Sequence, residues 1–186
     1  MKRSIFQIVG LLLLLPLFSG CNDSDDVAAI FTGKTWKLTY ITLKDGNKMI
    51  DLWGGDEKKA QASYEKLEAA GNFTINFTIN TNEDDIINGN FNGQVTTGKS
   101  MSGSWNANGK KSTFKISNLD AGSDGDVLAK EFIAGLQGAD SFKGSDERNL
   151  FLYYSSGNQT RCLVFAPSKN LSLIHISEPT RHAQIS

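Results

Sequence analysis

In five segments between residues 36 and 116 apolar and polar side chains alternate along the chain, which is the pattern of half-buried β-strands. Two later segments are more continuously apolar, so they fit strands that are buried on both faces or whose outer face is covered by a helix. The alternating segments are 36–40, 73–79, 87–95, 101–105 and 114–116, and the apolar ones are 149–154 and 160–166.

Turn-forming residues separate most of these segments. Asp45–Gly46 and Asn108–Gly109 are typical of tight turns, an acidic turn lies at residues 82–85, and residues 156–158 join the last two segments. Closure of a sheet removes exposed strand edges. The pattern therefore predicts an all-β fold, either an antiparallel barrel of about seven or eight strands or a closed sandwich.

Two short segments, residues 56–70 and 126–137, show helical periodicity instead. Asp56 is a suitable N-cap for the first, and a glycine follows each segment. Both predicted helices are amphipathic and should cover part of the sheet. Their apolar positions are Ala60, Tyr64 and Leu67 in the first segment and Leu128, Phe132 and Leu136 in the second.

The N-terminus has the parts of an export signal. Lys2 and Arg3 precede a mostly apolar stretch, 5–18, that is too short for a spanning helix. The sequence Leu-Phe-Ser-Gly-Cys at residues 17–21 resembles the bacterial lipobox. This resemblance implies a signal peptide at residues 1–20 and lipidation of Cys21, whereas the alternative is an ordinary signal peptide that a cysteine happens to follow.

An acidic run follows the predicted lipidation site. Asp23, Ser24, Asp25 and Asp26 resemble the export signal of surface lipoproteins in Bacteroidetes. We therefore expect residues 21–29 to form a lipidated acidic tether, and the protein to face the cell surface from the outer membrane. The alternative is a solvated tether on the periplasmic face.

The C-terminal residues 171–186 do not read as part of the fold. The run Leu171–Arg181 matches, residue for residue, the translation of a transposase adapter used in DNA sequencing libraries. We expect this tail to be non-native and exclude it from the fold, which places the native C-terminus beyond about residue 170.

The amino-acid composition limits the partners and the catalytic or metal sites that the chain can have. The chain has 19 Lys and Arg against 20 Asp and Glu, a balance that does not favour nucleic acid as a partner. Both histidines, His175 and His182, lie in the excluded tail, so no catalytic triad or metal site built on histidine is expected. Apart from Cys21 the only cysteine is Cys162, which we expect to be buried and inert in an apolar strand. No cofactor is predicted.

One acidic cluster, between residues 120 and 131, is a candidate metal site. The cluster comprises Asp120, Asp124, Asp126 and Glu131. The sequence that begins at Asp120 resembles a calcium loop at positions one, five, six and twelve, where the sixth residue is Gly125. The third position is Gly122, which supplies no side-chain oxygen. The alternative is a strand-to-helix turn in which Asp124 or Asp126 is the N-cap.

Three aromatic residues are candidates for ligand binding. Trp53 lies in a glycine-rich loop, where it would either rim a barrel mouth and stack on a ligand or pack beneath the first helix. Tyr153 and Tyr154 point to opposite faces of one predicted strand, so one of them faces outward or into a lumen. Trp36 and Trp105 lie in core-facing rows.

A family resemblance rests on two short motifs. Phe31–Leu38 reads Phe-Thr-Gly-Lys-Thr-Trp-Lys-Leu and opens the first predicted strand, and Gly103–Trp105 reads Gly-Ser-Trp. These residues resemble lipocalin-like, calycin-type domains of unknown function in Bacteroidetes surface lipoproteins. The resemblance covers about residues 31–167 and implies a lipocalin-like barrel over residues 30–170. The Gly-x-x-Trp spacing differs from the Gly-x-Trp of true lipocalins, so it implies no ligand specificity.

These observations favour a lipid-anchored binding domain rather than an enzyme. Its ligand would be an apolar or glycan-like molecule inside a barrel, or an envelope protein on its outer face. The alternative is a structural or assembly subunit of a cell-envelope complex. A hydrolase that uses two carboxylates about 5–10 Å apart is a third hypothesis, without a local motif in its favour.

Overall fold

The computed structural model describes residues 24–83, 85–145 and 148–168 of the 186-residue chain. In these residues eight antiparallel strands form a closed barrel, in which each strand pairs with the next and the last pairs with the first. The predicted all-β, lipocalin-like barrel is therefore confirmed. The strands are β1 (Thr35–Leu43), β2 (Thr74–Glu83), β3 (Ile86–Thr96), β4 (Lys99–Asn108), β5 (Thr113–Ala121), β6 (Ala139–Ser145), β7 (Asn149–Ser156) and β8 (Gln159–Pro167).

A helix that the sequence analysis missed precedes the barrel. Helix α1 (Ser24–Phe31) covers most of the predicted tether, and it includes Phe31, which the sequence predicts at the start of the first strand. Val27, Ile30 and Phe31 are spaced as one apolar helical stripe, and all three are buried. The prediction of a tether to residue 29 is thus wrong over α1, because burial of this stripe folds the segment onto the barrel.

The two predicted helices are confirmed as α2 (Glu57–Glu68) and α3 (Val127–Gly138), each beginning one residue later than expected. An aspartate precedes each helix, Asp56 or Asp126, and its Oδ1 accepts a hydrogen bond at 3.1 Å from the third backbone N–H of the helix. These N-caps satisfy backbone donors that no helical carbonyl can reach, so they fix where both helices begin.

Aromatic side chains fill the barrel interior. The Phe31 ring of α1 lies 4.8 Å from the ring of Trp105 and 5.2 Å from that of Phe114, measured between centroids. From α3, the Phe132 ring lies 5.5 Å from Phe73 and 6.2 Å from Phe165. Side chains of α1 and α3 therefore enter the core that the strands enclose.

Gly89 on β3 shows how the interior accommodates this packing. The indole of Trp105 passes beside it, and Nε1 donates a hydrogen bond to the carbonyl oxygen of Thr78 at 3.1 Å. A Cβ at Gly89 would collide with that carbonyl oxygen and lie 2.6 Å from Nε1, so a larger residue would displace the backbone of β2 as well as the indole. Glycine in the apolar row of β3 is therefore required by a close approach of neighbouring atoms.

A bulge in β1 changes which of its side chains point inward. The alternation predicted an inward row of Trp36, Leu38 and Tyr40, but the register with β8 shifts between Leu38 and Tyr40. Ile41, which is fully buried, takes the inward position, and Tyr40 turns outward opposite Val164. The inward assignment of Tyr40 is therefore wrong, because one extra residue in a strand reverses the faces that follow it.

The barrel closes through one short seam. Strands β5 and β6 are paired only at Thr113 and Ser141. Helix α3 connects these two strands and contacts β5, β7 and β8, with Leu128, Phe132 and Leu136 buried in the core. The connection between the two least-paired strands is therefore held by core packing.

None of the helices within the described residues has the length and apolar character needed to cross a membrane.

Candidate functional site

Because side chains fill the interior, we expect a binding site on the outside of the barrel, where two faces differ in chemistry. Between their ends, β2, β3 and β4 carry uncharged amides and hydroxyls on the outward side, and most of these side chains are exposed. Cross-strand pairs place them in rows, such as Asn76 beside Asn92 beside Ser102. We call this the amide face; it comprises Asn76, Thr78, Asn88, Asn90, Asn92, Gln94, Ser100, Ser102, Ser104 and Asn106.

The opposite face carries aromatic side chains and lysines. Strand pairing places Ser141, Tyr153, Cys162 and Thr42 in one row across β6, β7, β8 and β1. A second row runs beside it. This second row consists of Lys143, Phe151, Val164 and Tyr40. We call the two rows together the Tyr153 face.

The Tyr153 face explains the continuously apolar sequences of β7 and β8. Cys162 and Val164 are only 2% and 3% exposed, between the larger side chains beside them in these rows. Helix α3 meets the two strands from the inside, where Gly135 lies against Leu163 and Tyr154. Of the two alternatives for these strands, a helix over the outer face is not found in the described residues, and Tyr153 and Phe151 stay half-exposed.

Two adjacent depressions lie on the Tyr153 face, with volumes of about 510 Å³ and about 200 Å³. They share Asp45, Lys143 and Tyr153, so Tyr153 forms part of both walls. The larger is completed by Lys44, Ser112, Ser141, Phe142 and Thr160, and the smaller by Thr42, Gly46, Phe151 and Cys162.

The turn after β1 forms one rim of these depressions. The backbone N–H of Lys44 donates to the carbonyl of Thr160 at 2.9 Å, and that of Gly46 donates to the carbonyl of Leu43 at 2.9 Å. A Cβ at Gly46 would collide with Oγ1 of Thr42, so glycine is needed for the turn to lie on the sheet. The predicted Asp45–Gly46 turn thus positions Lys44 and Asp45 beside Tyr153.

The groups around Tyr153 can bind but are poorly suited to nucleophilic catalysis. Burial raises the pKa of the Cys162 thiol to about 12, so the thiol is protonated at neutral pH. Burial also raises the pKa of the Tyr153 hydroxyl, which remains a hydrogen-bond donor. The prediction that Cys162 is buried is confirmed. An aromatic ring, hydroxyls and ammonium groups together form a polar and stacking surface.

Tyr154 lies on the inner side of β7 and is only 2% exposed. Its hydroxyl donates to Oε1 of Glu131 at 2.7 Å, and the same oxygen accepts a hydrogen bond from Arg161 at 2.6 Å. This internal ion pair links α3 to β7 and β8. Of the two tyrosines that point to opposite faces of β7, Tyr154 is therefore the one on the inner side, where it takes part in the internal packing.

Trp53 packs on α2 and does not lie with Tyr153. Its Nε1 donates to Oγ of Ser63 at 2.9 Å, and its ring lies 5.3 Å from that of Tyr64. This is the structural alternative, packing against the first predicted helix, rather than a ligand-stacking position at an open barrel mouth. The structure therefore separates the three aromatic candidates.

The predicted calcium loop is a set of structural links. Oδ1 of Asp124 accepts from Nζ of Lys66 at 2.8 Å and its Oδ2 accepts from the hydroxyl of Thr96 at 2.7 Å, while Asp126 caps α3 and accepts from Ser63 at 2.7 Å. These hydrogen bonds and the Lys66 ion pair hold the pKa of Asp124 down at about 2.

The other two residues of that loop point elsewhere. Glu131 is engaged by Tyr154 and Arg161, and Asp120 lies on β5 opposite Ser102. In the part of the chain that the structure describes, no group of three or more His, Cys, Asp or Glu is placed to hold a metal ion. The calcium hypothesis is therefore replaced by its alternative, a turn with an aspartate N-cap.

The predicted export features lie largely outside the residues that the structure describes. The signal peptide at residues 1–20, Cys21, Asp23 and the tail at residues 171–186 fall outside the described residues, whereas the backbone of Ser24, Asp25 and Asp26 begins α1.

The sequence did not identify two groups of residues at this site. The lysines at positions 44 and 143 could not have been identified, because lone lysines in turns and strands are common on surfaces. The outward aromatic residues beside Tyr153 could have been, since a strand with apolar residues on both faces must place some of them outside.

Comparison with curated proteins finds no match. A family model described as "Domain of unknown function (DUF4847)" matches residues 22–167, which run from just after Cys21 to the end of β8. Because the match covers α1, all eight strands and most of the chain, the protein belongs to the DUF4847 family of domains of unknown function.

Proposed function

We propose that the protein is a non-catalytic, lipid-anchored binding protein of the outer membrane that faces the cell surface and binds a glycan-like ligand on its Tyr153 face. The observation that carries this proposal is the position of Tyr153, half-exposed in a depression between Lys44 and Lys143. Sugars bind proteins through stacking on an aromatic ring and hydrogen bonds to their hydroxyl groups, and this depression offers both.

The packing of the interior supports an outer site over an inner one. Phe31 from α1 and Phe132 from α3 occupy the space that an apolar ligand would need in a lipocalin-like barrel. Both rings are fully buried. A ligand in the interior would have to displace one of these side chains, at a cost of several kcal/mol.

The proposed location, anchored by lipid at the cell surface, rests on the sequence. The lipobox-like residues that end at Cys21 support lipidation, and the acidic residues after it support display at the cell surface. A binding protein held there meets polysaccharides and glycoconjugates of the surroundings, which agrees with a solvent-facing, hydrogen-bonding site.

The test compares glycan binding by the mature protein and its variants. An array of neutral and acidic oligosaccharides identifies a ligand, and calorimetry measures its affinity. We expect Tyr153→Ala to weaken binding at least about fivefold, since an aromatic contact contributes about 1 kcal/mol, and Tyr153→Phe to keep most of it. The matched control is Asn92→Ala on the amide face, which should bind as the parent protein does. Absence of binding to every glycan, or full binding by Tyr153→Ala, would refute the proposal.

A protein partner is the second candidate, as expected for an assembly subunit. Phe151 and Tyr40 lie half-exposed beside Tyr153, and aromatic residues are enriched in protein interfaces. Cross-linking in intact cells through a photoreactive residue at position 151 would support this function if it captures one envelope protein and the same residue at position 92 does not.

A further inference from the structure

We propose that α1 seats the barrel end-on at the membrane, with the end that contains Phe31 against the lipid surface. The inference rests on the proposed lipid anchor at Cys21, and it specifies how that anchor orients the binding domain. It follows from two observations: α1 is fixed to the barrel, and very little chain separates α1 from Cys21.

Several contacts fix α1 at one end of the barrel. Val27 and Phe31 are fully buried, and the carbonyl oxygen of Phe31 accepts a hydrogen bond from Nε1 of Trp36 at 3.1 Å. Thr32, directly after the helix, forms a β-bridge with Phe77 of β2. The helix therefore moves with the barrel and does not act as a flexible spacer.

The chain between the anchor and α1 is short. Ser24, the first residue of α1, is the third residue after Cys21. Three residues span at most about 11 Å even when fully extended. A flexible tether of about 16 residues would instead allow an average separation of about 22 Å and free rotation of the domain.

The strand directions then define the orientation of the whole barrel. Because α1 leads directly into β1, the turns from β2 to β3 and from β4 to β5 lie at the α1 end, and the turns from β3 to β4 and from β7 to β8 lie at the other. Tilted strands of this length separate the two ends by about 25 Å. Ile86, at the start of β3, places a 43% exposed apolar side chain at the α1 end.

This orientation has a consequence for the Tyr153 face. The face lies on the side of the barrel, along strands that run from the membrane outward. Its ligand therefore approaches parallel to the membrane plane, while α2 and Trp53 lie at the end that points away from the lipid.

The experiment places one fluorophore at either end of the full lipidated protein in phosphatidylcholine and phosphatidylethanolamine vesicles. Lys111→Cys labels the β4–β5 turn and Asn158→Cys labels the β7–β8 turn, both at exposed positions. Lipidation blocks the Cys21 thiol and burial protects Cys162, so the introduced thiol takes the label. Vesicles with a nitroxide on the lipid headgroup should quench the label at position 111 strongly and leave most emission at position 158.

A matched control inserts about 16 Gly and Ser residues between Cys21 and Asn22, which lengthens the path to the anchor without touching α1. Loss of the quenching difference in this variant supports the role of the short connection. Equal quenching at both ends in the parent protein overturns the orientation while leaving the lipid anchor intact. Failure of the protein to sediment with vesicles overturns both the anchor and the orientation, and glycan binding by the Tyr153 face is measured separately.

Discussion

Removal of the Phe31 side chain should destabilise the barrel strongly, although the helix that carries this residue was not predicted from the sequence. The ring is fully buried, and four other rings surround it with centroid distances between 4.8 and 5.2 Å. Truncation of a buried phenylalanine to alanine costs about 3–5 kcal/mol, through lost burial and the cavity left behind. We therefore expect Phe31→Ala to lower the free energy of unfolding by about 4 kcal/mol, which is a large part of the stability of an ordinary domain.

Urea unfolding followed by tryptophan fluorescence measures this loss, and the signal is local because Trp105 stacks on Phe31. Phe31→Leu keeps most of the apolar volume and should cost about 1 kcal/mol, so the series remains measurable if Phe31→Ala does not fold. Tyr64→Ala removes an aromatic ring that is 37% exposed and serves as the control. If Phe31→Ala costs no more than this control, α1 does not contribute to the core and the segment behaves as a tether after all.

Two further predictions concern the carboxylates that link α2 and α3 to the barrel. Since the folded pKa of Asp124 is about 2 against 3.8 for the free group, its links stabilise the fold fully above about pH 4 and are lost as the pH falls towards 2. Asp124→Asn should cost about 2 kcal/mol at pH 7 and flatten the acid limb of a stability-against-pH curve. Glu131→Gln should cost about 2 kcal/mol in urea unfolding, because Arg161 then lacks an anionic partner in a mostly buried position.

Each of these variants has a control on the same molecule. Asp120→Asn changes an exposed carboxylate of the same predicted calcium loop and should leave the acid limb unchanged, so an equal effect would show that Asp124 has no special role. Lys59→Ala removes an ion pair with Asp56 whose side chains are 67% and 39% exposed, and it should cost less than Glu131→Gln because solvent screens the pair. A larger loss for Lys59→Ala than for Glu131→Gln would contradict the importance of the internal pair.

The barrel could be predicted because most of its strands bury one face only. In β3 the alternation of residues 87–95 coincides with the observed burial pattern along Ile86–Thr96. Strand β6 gave no such signal, since Phe142 is its only large apolar residue. The bulge in β1 was equally hidden, because local alternation cannot show that the pairing register with β8, more than a hundred residues away, shifts by one residue.

The carboxylate cluster shows a different limit of sequence reasoning. An aspartate that caps a helix and an aspartate that binds calcium occupy similar turn sequences, so local pattern alone leaves both open. The choice depends on Lys66 and Thr96, which come from α2 and the end of β3 and engage Asp124. Residues this distant in sequence meet only once the helix docks on the barrel, so the decision belongs to tertiary packing.

The apolar strands β7 and β8 connect this limit with function. Their sequences allow burial of both faces, and a helix laid over the outside would have made Tyr153 a core residue. Helix α3 instead contacts these strands from within, beside Tyr154 and Leu163, and the outward aromatic rings remain half-exposed. The outer face of β7 and β8 is covered only by the side chains of neighbouring strands. Its aromatic rings therefore remain accessible to a ligand. In this family member the same topology that fills the barrel with α1 and α3 therefore moves the candidate binding site from the lumen to the outer wall.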